Sequence, residues 1–191
     1  MSPSNQPVAR HPSRTRVWLL TGLCALWLAA CGNQDGATQV PAAVDACSLL
    51  SADDLQALAP GLSAGTPGKA KIPNTSTCEW DDASHLPALM LQVTPAPASS
   101  VKKDLESGFA NMGYDVHEVT GLGDEAAVAV QRADPTHGVQ AGVAMLGVRV
   151  GKRELALSPV RLQIASTSDP AFKHLRDAAA LAVSRLRKKN K

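Results

Sequence analysis

The first thirty residues constrain the rest of the chain more than any other feature, because they decide where it folds. Residues 1–16 contain three arginines and no acidic residue, and the twelve-residue apolar run Val17–Leu28 follows. A basic segment followed by an apolar segment and small residues is typical of a secretory signal peptide, and this run is too short to span a bilayer. We therefore interpret residues 1–30 as a signal peptide and expect the remainder to fold outside the cytoplasm.

The end of this signal, Leu28-Ala29-Ala30-Cys31, resembles the lipobox of bacterial lipoproteins, and the resemblance covers residues 1–32. In that family the cysteine thiol receives a diacylglycerol before cleavage, and the freed amine is often acylated as well. The resemblance implies that Cys31 becomes the lipidated first residue of a membrane-anchored envelope protein. Gly32, where an aspartate commonly marks inner-membrane retention, implies the outer membrane, facing the periplasm, in a Gram-negative cell. An ordinary signal peptide with an incidental cysteine is the alternative.

The segment after Cys31 has the composition of a linker. Residues 32–45 are polar, contain glycine and proline and show no periodicity. Fourteen residues of this kind span about 20 Å as a random coil. We therefore interpret residues 31–45 as a lipidated flexible tether, residues 46–187 as one domain and residues 188–191 as a basic tail.

Two cysteines, Cys47 and Cys78, remain once Cys24 leaves with the signal and Cys31 is lipidated. Two thiols in an oxidising compartment most simply pair. Closing this loop of 32 residues stabilises a fold by about 4 kcal/mol on the chain-entropy estimate. A metal site would need more ligands at short spacing, and a reactive thiol pair is the other alternative. We predict a structural disulfide between Cys47 and Cys78.

Hydrophobic periodicity predicts alternating strands and helices in the domain. The predicted strands lie around Cys78-Glu79-Trp80 and over Leu89–Thr94, Tyr114–Val119, Ala126–Gln131, Val139–Val150, Arg153–Ser158 and Val160–Ile164. The predicted helices are a short one between the N-cap Ser51 and Pro60-Gly61, one over Val101–Met112, and one that begins at Asp169-Pro170 and presents apolar residues from Phe172 to Leu186. This order indicates an α+β fold, an antiparallel sheet with about three helices packed on one face and one disulfide.

Three short motifs give the domain a second resemblance. They are Cys47-Ser48-Leu49-Leu50, Cys78-Glu79-Trp80 and Gly121-Leu122-Gly123-Asp124-Glu125-Ala126. Together they are similar to motifs of uncharacterised secreted bacterial lipoprotein domains. The resemblance covers about residues 46–187 and implies a disulfide-tied α+β domain, without implying an activity.

The charge pattern argues against nucleic acid as a partner. The formal net charge of +2 includes the arginines of the signal, and the chain from residue 31 onward has 16 basic and 17 acidic residues. Residues 31–184 contain 11 basic and 17 acidic residues, whereas five basic residues crowd the last seven positions. A nucleic-acid binder needs a basic face across its folded part. We expect the basic end to be a solvated helix terminus, with contact to anionic lipid as the alternative.

The sequence carries no recognisable catalytic or metal-binding constellation. His85, His117, His137 and His174 are not spaced as local metal ligands, although the fold could still bring some of them together. No serine lies in a nucleophile elbow, and Gly121-Leu122-Gly123 is too short for a dinucleotide fingerprint.

We therefore expect a lipid-anchored, non-enzymatic module without a cofactor, which binds a protein or small-ligand partner through a sheet face. The first alternative is a periplasmic inhibitor or immunity lipoprotein against a lytic enzyme. The second is an envelope hydrolase of unrecognised type.

Overall fold

In the part of the chain that the structure describes, seven strands, numbered β1 to β7 along the chain, form one antiparallel sheet in the order β1-β2-β3-β7-β6-β5-β4. The computed structural model describes residues 43–189. Its strands are β1 (Thr66–Pro67), β2 (Ser76–Asp81), β3 (Pro87–Pro95), β4 (Tyr114–Glu118), β5 (Glu125–Gln131), β6 (Gly142–Val150) and β7 (Arg153–Ser158). Its α-helices are α1 (Val101–Gly108) and α2 (Pro170–Lys189), with short 3-10 helices at Ala46–Ser48, Asp53–Leu55 and Pro135–His137. The α+β class and the antiparallel sheet are confirmed, but the described chain has two α-helices, not three.

The connection through α1 explains the strand order. It carries the chain from β3 to the far edge of the sheet, where β4 begins. The strands β4 to β7 then return as a meander, and β7 pairs with β3 so that Leu91 lies opposite Leu157. The sheet is therefore completed by the pairing of β3 with β7.

One face of the sheet, the α2 face, carries the main core. Alternate residues of β3 and β7, such as Leu91 and Leu157, are fully buried there together with Leu146 of β6. From the helix, α2 buries Phe172, Leu175, Ala178, Ala179, Ala182, Val183 and Leu186. The helical spacing predicted for this segment is confirmed.

The helix α1 lies on the opposite face, the α1 face, where Val101 and Leu105 pack on Ala127 and Ala129. A Cβ at Gly147 would lie 2.8 Å from Cγ1 of Val101, so the glycine allows this close approach. The prediction that the helices share one face is wrong. The strand β5 is apolar on both sides, and its alternate residues face different helices.

The predicted first helix is also wrong, although its capping interactions form. Ser51 N–H donates to Oδ2 of Asp54 at 2.7 Å, and Asp54 N–H donates to Oγ of Ser51 at 3.3 Å. Only the 3-10 turn Asp53–Leu55 follows. The proline at residue 60 leaves too few residues to offset the cost of helix nucleation.

Three further predictions differ from the structure by three residues or more. Residues 160–164 follow β7 but form no strand, because they make isolated bonds: Arg161 N–H donates to the Ala88 carbonyl of β3 at 3.1 Å, and the Ile164 carbonyl accepts from Val143 N–H of β6 at 2.7 Å. The helix α1 ends at Gly108 rather than Met112, because the chain turns through Asn111 at a φ of 61°. The strand β6 begins at Gly142 rather than Val139.

The disulfide between Cys47 and Cys78 is confirmed. It joins the 3-10 turn Ala46–Ser48 to β2, where Cys78 and Trp80 are fully buried. A Cβ at Gly65 would lie 2.6 Å from Sγ of Cys78, so the segment before β1 also packs closely on the bridge. Neither helix of residues 43–189 is both long and apolar enough to cross a membrane.

Candidate functional site

The predicted lipidation site, Cys31, lies outside the described residues, as do the signal peptide and most of the tether. Among the described residues, the first polar contacts are made by Asp45 and Ala46. The Asp45 carboxylate accepts from Cys47 N–H at 3.0 Å, and Ala46 N–H donates to Oγ of Ser76 at 2.8 Å. The chain therefore enters the sheet region at residues 45–46.

The third motif, Gly121–Ala126, forms a turn that links several elements. Gly121 and Gly123 have φ values of 74° and 65°, and a Cβ at Gly123 would collide with the Arg149 carbonyl oxygen. Leu122 between them is buried in the core. Two glycines are needed here because side chains are disfavoured at positive φ.

Asp124 fastens this turn to its neighbours. Its carboxylate accepts from Gly151 N–H at 2.6 Å and from Nη2 of Arg187 at 2.8 Å, and its own N–H donates to the Arg149 carbonyl at 2.8 Å. The Gly151 N–H, and secondarily Arg187, lowers the pKa of Asp124. The motif thus holds the β6–β7 hairpin and α2 together.

A cleft of about 440 Å³, the α1 cleft, lies between this turn and the first turn of α1. Its polar lining includes Lys102, Glu118, Thr120 and Glu125. Nζ of Lys102 lies 3.5 Å from Oε1 of Glu118, and Glu125 Oε2 accepts from Val101 N–H at 3.1 Å. Because that carboxylate already accepts from the Val101 N–H, the N-terminus of α1 offers no open anion site in the cleft.

Beside α1 lies a charge cluster consisting of Arg149, Asp104, Glu125 and Glu154. The guanidinium of Arg149 lies 3.8, 3.4 and 3.6 Å from the carboxylates of Asp104, Glu125 and Glu154. Arg149 also donates to the Ser99 carbonyl, and Ser99 Oγ bonds to Asp104. The side chains of Arg149 and Glu154 are 15% and 14% exposed.

Burial, reinforced by the Asp104 charge, raises the pKa of Glu154. A raised carboxyl pKa is one mark of an enzyme site, but such a group must also face a cleft. Of the cluster, Glu125 alone lines the α1 cleft. The arrangement instead fastens α1 to β6 and β7, and a structural role explains its contacts.

The rest of the α1 face has no helix over it in the described chain. The side chains of Met90, Gln92, Ala156 and Ser158 share this side of β3 and β7, since Met90 pairs with Ser158 and Gln92 with Ala156. Met145 of β6, opposite Ala129 on the same side, packs against the cluster under α1 and so borders this surface. We call this surface the open face. Met90, Gln92, Ala156 and Met145 are partly exposed.

The histidines that the sequence offered as possible metal ligands do not come together in the described chain. His85, His117, His137 and His174 lie on separate elements, and residues 43–189 contain no group of three His, Cys, Asp or Glu side chains placed to hold a metal ion. Asp54, in the turn that follows Ser51, forms a bidentate pair with Arg185, at 2.5 and 3.0 Å, and this pair lowers the pKa of Asp54 to about 2.

The end of α2 connects two of the motifs that the sequence singled out. Arg185 donates to the Leu49 carbonyl at 2.9 Å, Arg187 binds Asp124, and Nζ of Lys189 lies 2.6 Å from Oγ of Ser48. Three of the basic residues near the C-terminus therefore bind the Cys47–Leu50 segment and the Gly121 turn. The charge of the segment suggested solvent or lipid, and it gave no sign of these specific contacts.

The charge cluster was missed by sequence reasoning, although a signal for it was present. The predicted strands Val139–Val150 and Arg153–Ser158 leave two residues for a hairpin turn, and such a hairpin places Arg149 opposite Glu154, as the structure confirms. Asp104 and Glu125 come from elsewhere in the chain, and only the position of α1 brings them to the same arginine. Comparison with protein-family models, curated proteins and solved structures found no match to this chain.

Proposed function

We propose that this chain is a lipid-anchored cell-envelope protein that acts as a non-enzymatic binding module. The lipobox-like Leu28–Cys31 segment supports the anchor, and the fold that begins near residue 45 leaves a short tether after Cys31. By the resemblance of Cys31-Gly32, the membrane would be the outer membrane of a Gram-negative cell. The contacts of the charge cluster and of the Gly121 turn support a stable scaffold rather than a reaction centre.

The open face is the observation that carries the binding role. It is a partly exposed sheet surface in the described chain that neither α1 nor α2 covers. Met90 lies on this surface and Met145 borders it beside α1, and flexible thioether side chains adapt to the shape of a partner. Gln92, on β3, offers both a donor and an acceptor. We therefore assign the partner contact to this surface and favour a protein partner, because the surface is broad and shallow rather than a pocket.

A single experiment tests both parts of the proposal. The full-length chain is expressed in a Gram-negative host, with a photo-crosslinking amino acid in place of Gln92. We expect the protein in the membrane fraction, with a discrete crosslinked partner after irradiation. The Cys31→Ser version should be released from the membrane or remain uncleaved, because it lacks the thiol that accepts the lipid.

The matched control carries the crosslinker in place of Thr167, which is exposed in the loop before α2. Equal crosslinking from both positions, or none from Gln92, would refute the open face as the binding surface. Normal cleavage and membrane partition of the Cys31→Ser protein would refute the anchor. A lytic enzyme as the crosslinked partner would favour the inhibitor or immunity role over the general binding role.

A further inference from the structure

Charge is unevenly distributed over the described chain. The helix α2 contains six basic residues and one acidic residue. Residues 43–169 contain nine basic and fifteen acidic residues. Such segregation produces a potential that extends beyond individual contacts. The fold therefore has a basic side formed by α2 and an acidic remainder.

The cations of α2 face solvent because its apolar side is packed on the sheet. Lys173, Arg176, Arg187, Lys188 and Lys189 are exposed, and we call this set the basic stripe. Two of its members have acidic partners: Lys173 binds Asp177 at 2.7 Å, and Arg187 binds Asp124 at 2.8 Å. The stripe therefore keeps a net positive charge after these pairs are counted.

The basic stripe ends where the chain enters the fold. Nζ of Lys189 lies 2.6 Å from Oγ of Ser48, and Arg185 reaches the Leu49 carbonyl. Residues 32–45 separate this point from Cys31, and a random coil of that length spans about 20 Å. A lipid on Cys31 would thus hold the end of α2 close to the membrane surface.

We propose that the basic stripe of α2 rests on the anionic phospholipid headgroups of the membrane that holds the Cys31 lipid. This rests on the lipid anchor of the proposed function. Attraction of lysine and arginine to an anionic surface decays over a Debye length of about 8 Å at physiological salt, and a tether that spans about 20 Å allows the helix end to reach that distance. Lipid chains and a polybasic surface are a known combination of two membrane signals.

The contact also orients the binding surface. The helix α2 covers one face of the sheet, and the open face lies on the other side. With α2 against the headgroups, Met90 and Gln92 point away from the membrane. The stripe therefore determines the direction in which a partner must approach.

The test uses the mature lipidated protein in two kinds of vesicle, phosphatidylcholine alone and a mixture with about one third phosphatidylglycerol, sufficient for a negative surface potential. A membrane-impermeant amine reagent labels lysines, and mass spectrometry reads each site. We expect Lys188 and Lys189 to be labelled at least about threefold more slowly on the anionic vesicles, with the difference lost at high salt. Lys69 and Lys71, exposed between β1 and β2, are internal controls whose labelling should not change.

Charge reversal sharpens the test. The variant Lys173→Glu/Lys188→Glu should lose the difference at Lys189, whereas Lys69→Glu/Lys71→Glu, with the same change in net charge, should keep it. Equal labelling of Lys188 and Lys189 on both vesicles would overturn the proposal. Flotation of the protein with vesicles tests the lipid anchor separately. Flotation with the anionic vesicles alone would refute the lipid anchor and support the contact of the basic stripe. Flotation with neither kind of vesicle would refute both.

Discussion

The two faces of the sheet hold their helices by different physical means. The helix α2 buries seven side chains over twenty residues, so hydrophobic contact along its length holds it. The helix α1 buries only Val101 and Leu105, and the charge cluster supplies much of its remaining attachment. Local stability follows the density of buried apolar contacts. We therefore expect the α2 face to unfold only with the whole domain and α1 to open more readily.

The largest expected effects on stability come from replacing one buried leucine with alanine on each face of the sheet. Leu175→Ala on α2 should lower the free energy of unfolding by about 3 kcal/mol, because it removes a fully buried side chain from a core that cannot collapse around it. Leu105→Ala on α1 removes the same atoms and should lower the free energy of unfolding by about 2 kcal/mol. Urea unfolding measures both values. Hydrogen exchange should show local loss of protection in α1 for Leu105→Ala alone, and loss spread over the sheet would contradict the comparison.

A second, smaller effect isolates the charges that fasten α1. Arg149→Met leaves the carboxylates of Asp104, Glu125 and Glu154 close together without their common cation, at a cost of about 2 kcal/mol near neutral pH. Arg132→Met removes an exposed pair with Asp115 and should cost less than about 1 kcal/mol. If urea unfolding shows the same loss of stability for Arg149→Met and Arg132→Met, burial of the charge cluster adds nothing to its stabilising effect.

The smallest effect concerns pH. Because burial raises the pKa of Glu154, the protonated side chain favours the folded state. This stabilisation is fully present below the pKa of Glu154 in the unfolded chain, and it is lost as the pH rises through the pKa of Glu154 in the folded protein. Glu154→Gln should therefore raise the free energy of unfolding near neutral pH by about 0.5 kcal/mol, and the gain should vanish in acid. Glu106→Gln, at an exposed position on α1, is the control. A gain that is independent of pH would contradict this assignment.

Most strands and α2 could be predicted because their signals are local. Alternation in Arg153–Ser158 and the helical spacing from Phe172 to Leu186 follow from burial of one side. The face that α1 occupies could not be predicted, because β5 is apolar in both registers and accepts a helix on either side. The strand predicted over Val160–Ile164 does not form, because alternation does not report whether the backbone makes a continuous ladder, and this segment makes isolated bonds to β3 and β6.

The candidate site was less predictable than the fold. Cys47 and Cys78 could be paired because the predicted export and lipidation leave two thiols, and two thiols in an oxidising compartment most simply pair. The pair Asp54–Arg185 joins residues 131 positions apart, and neither residue carries a mark that identifies its partner. The open face depends on which strands α1 leaves uncovered, so it becomes visible only when the helix has been placed.

The position of β7 beside β3 has a consequence for the order of folding. The pairs of the β2–β3 hairpin and of the β4–β7 meander are close in sequence, whereas Met90 and Ser158 come from distant parts of the chain. Closing a long loop reduces the entropy of the chain before the new contacts can stabilise it, so pairings between distant residues form slowly. We expect two preformed halves to join along β3 and β7 in the rate-limiting step. The N-terminal half already contains both cysteines, so oxidation can fix that half before the sheet is complete.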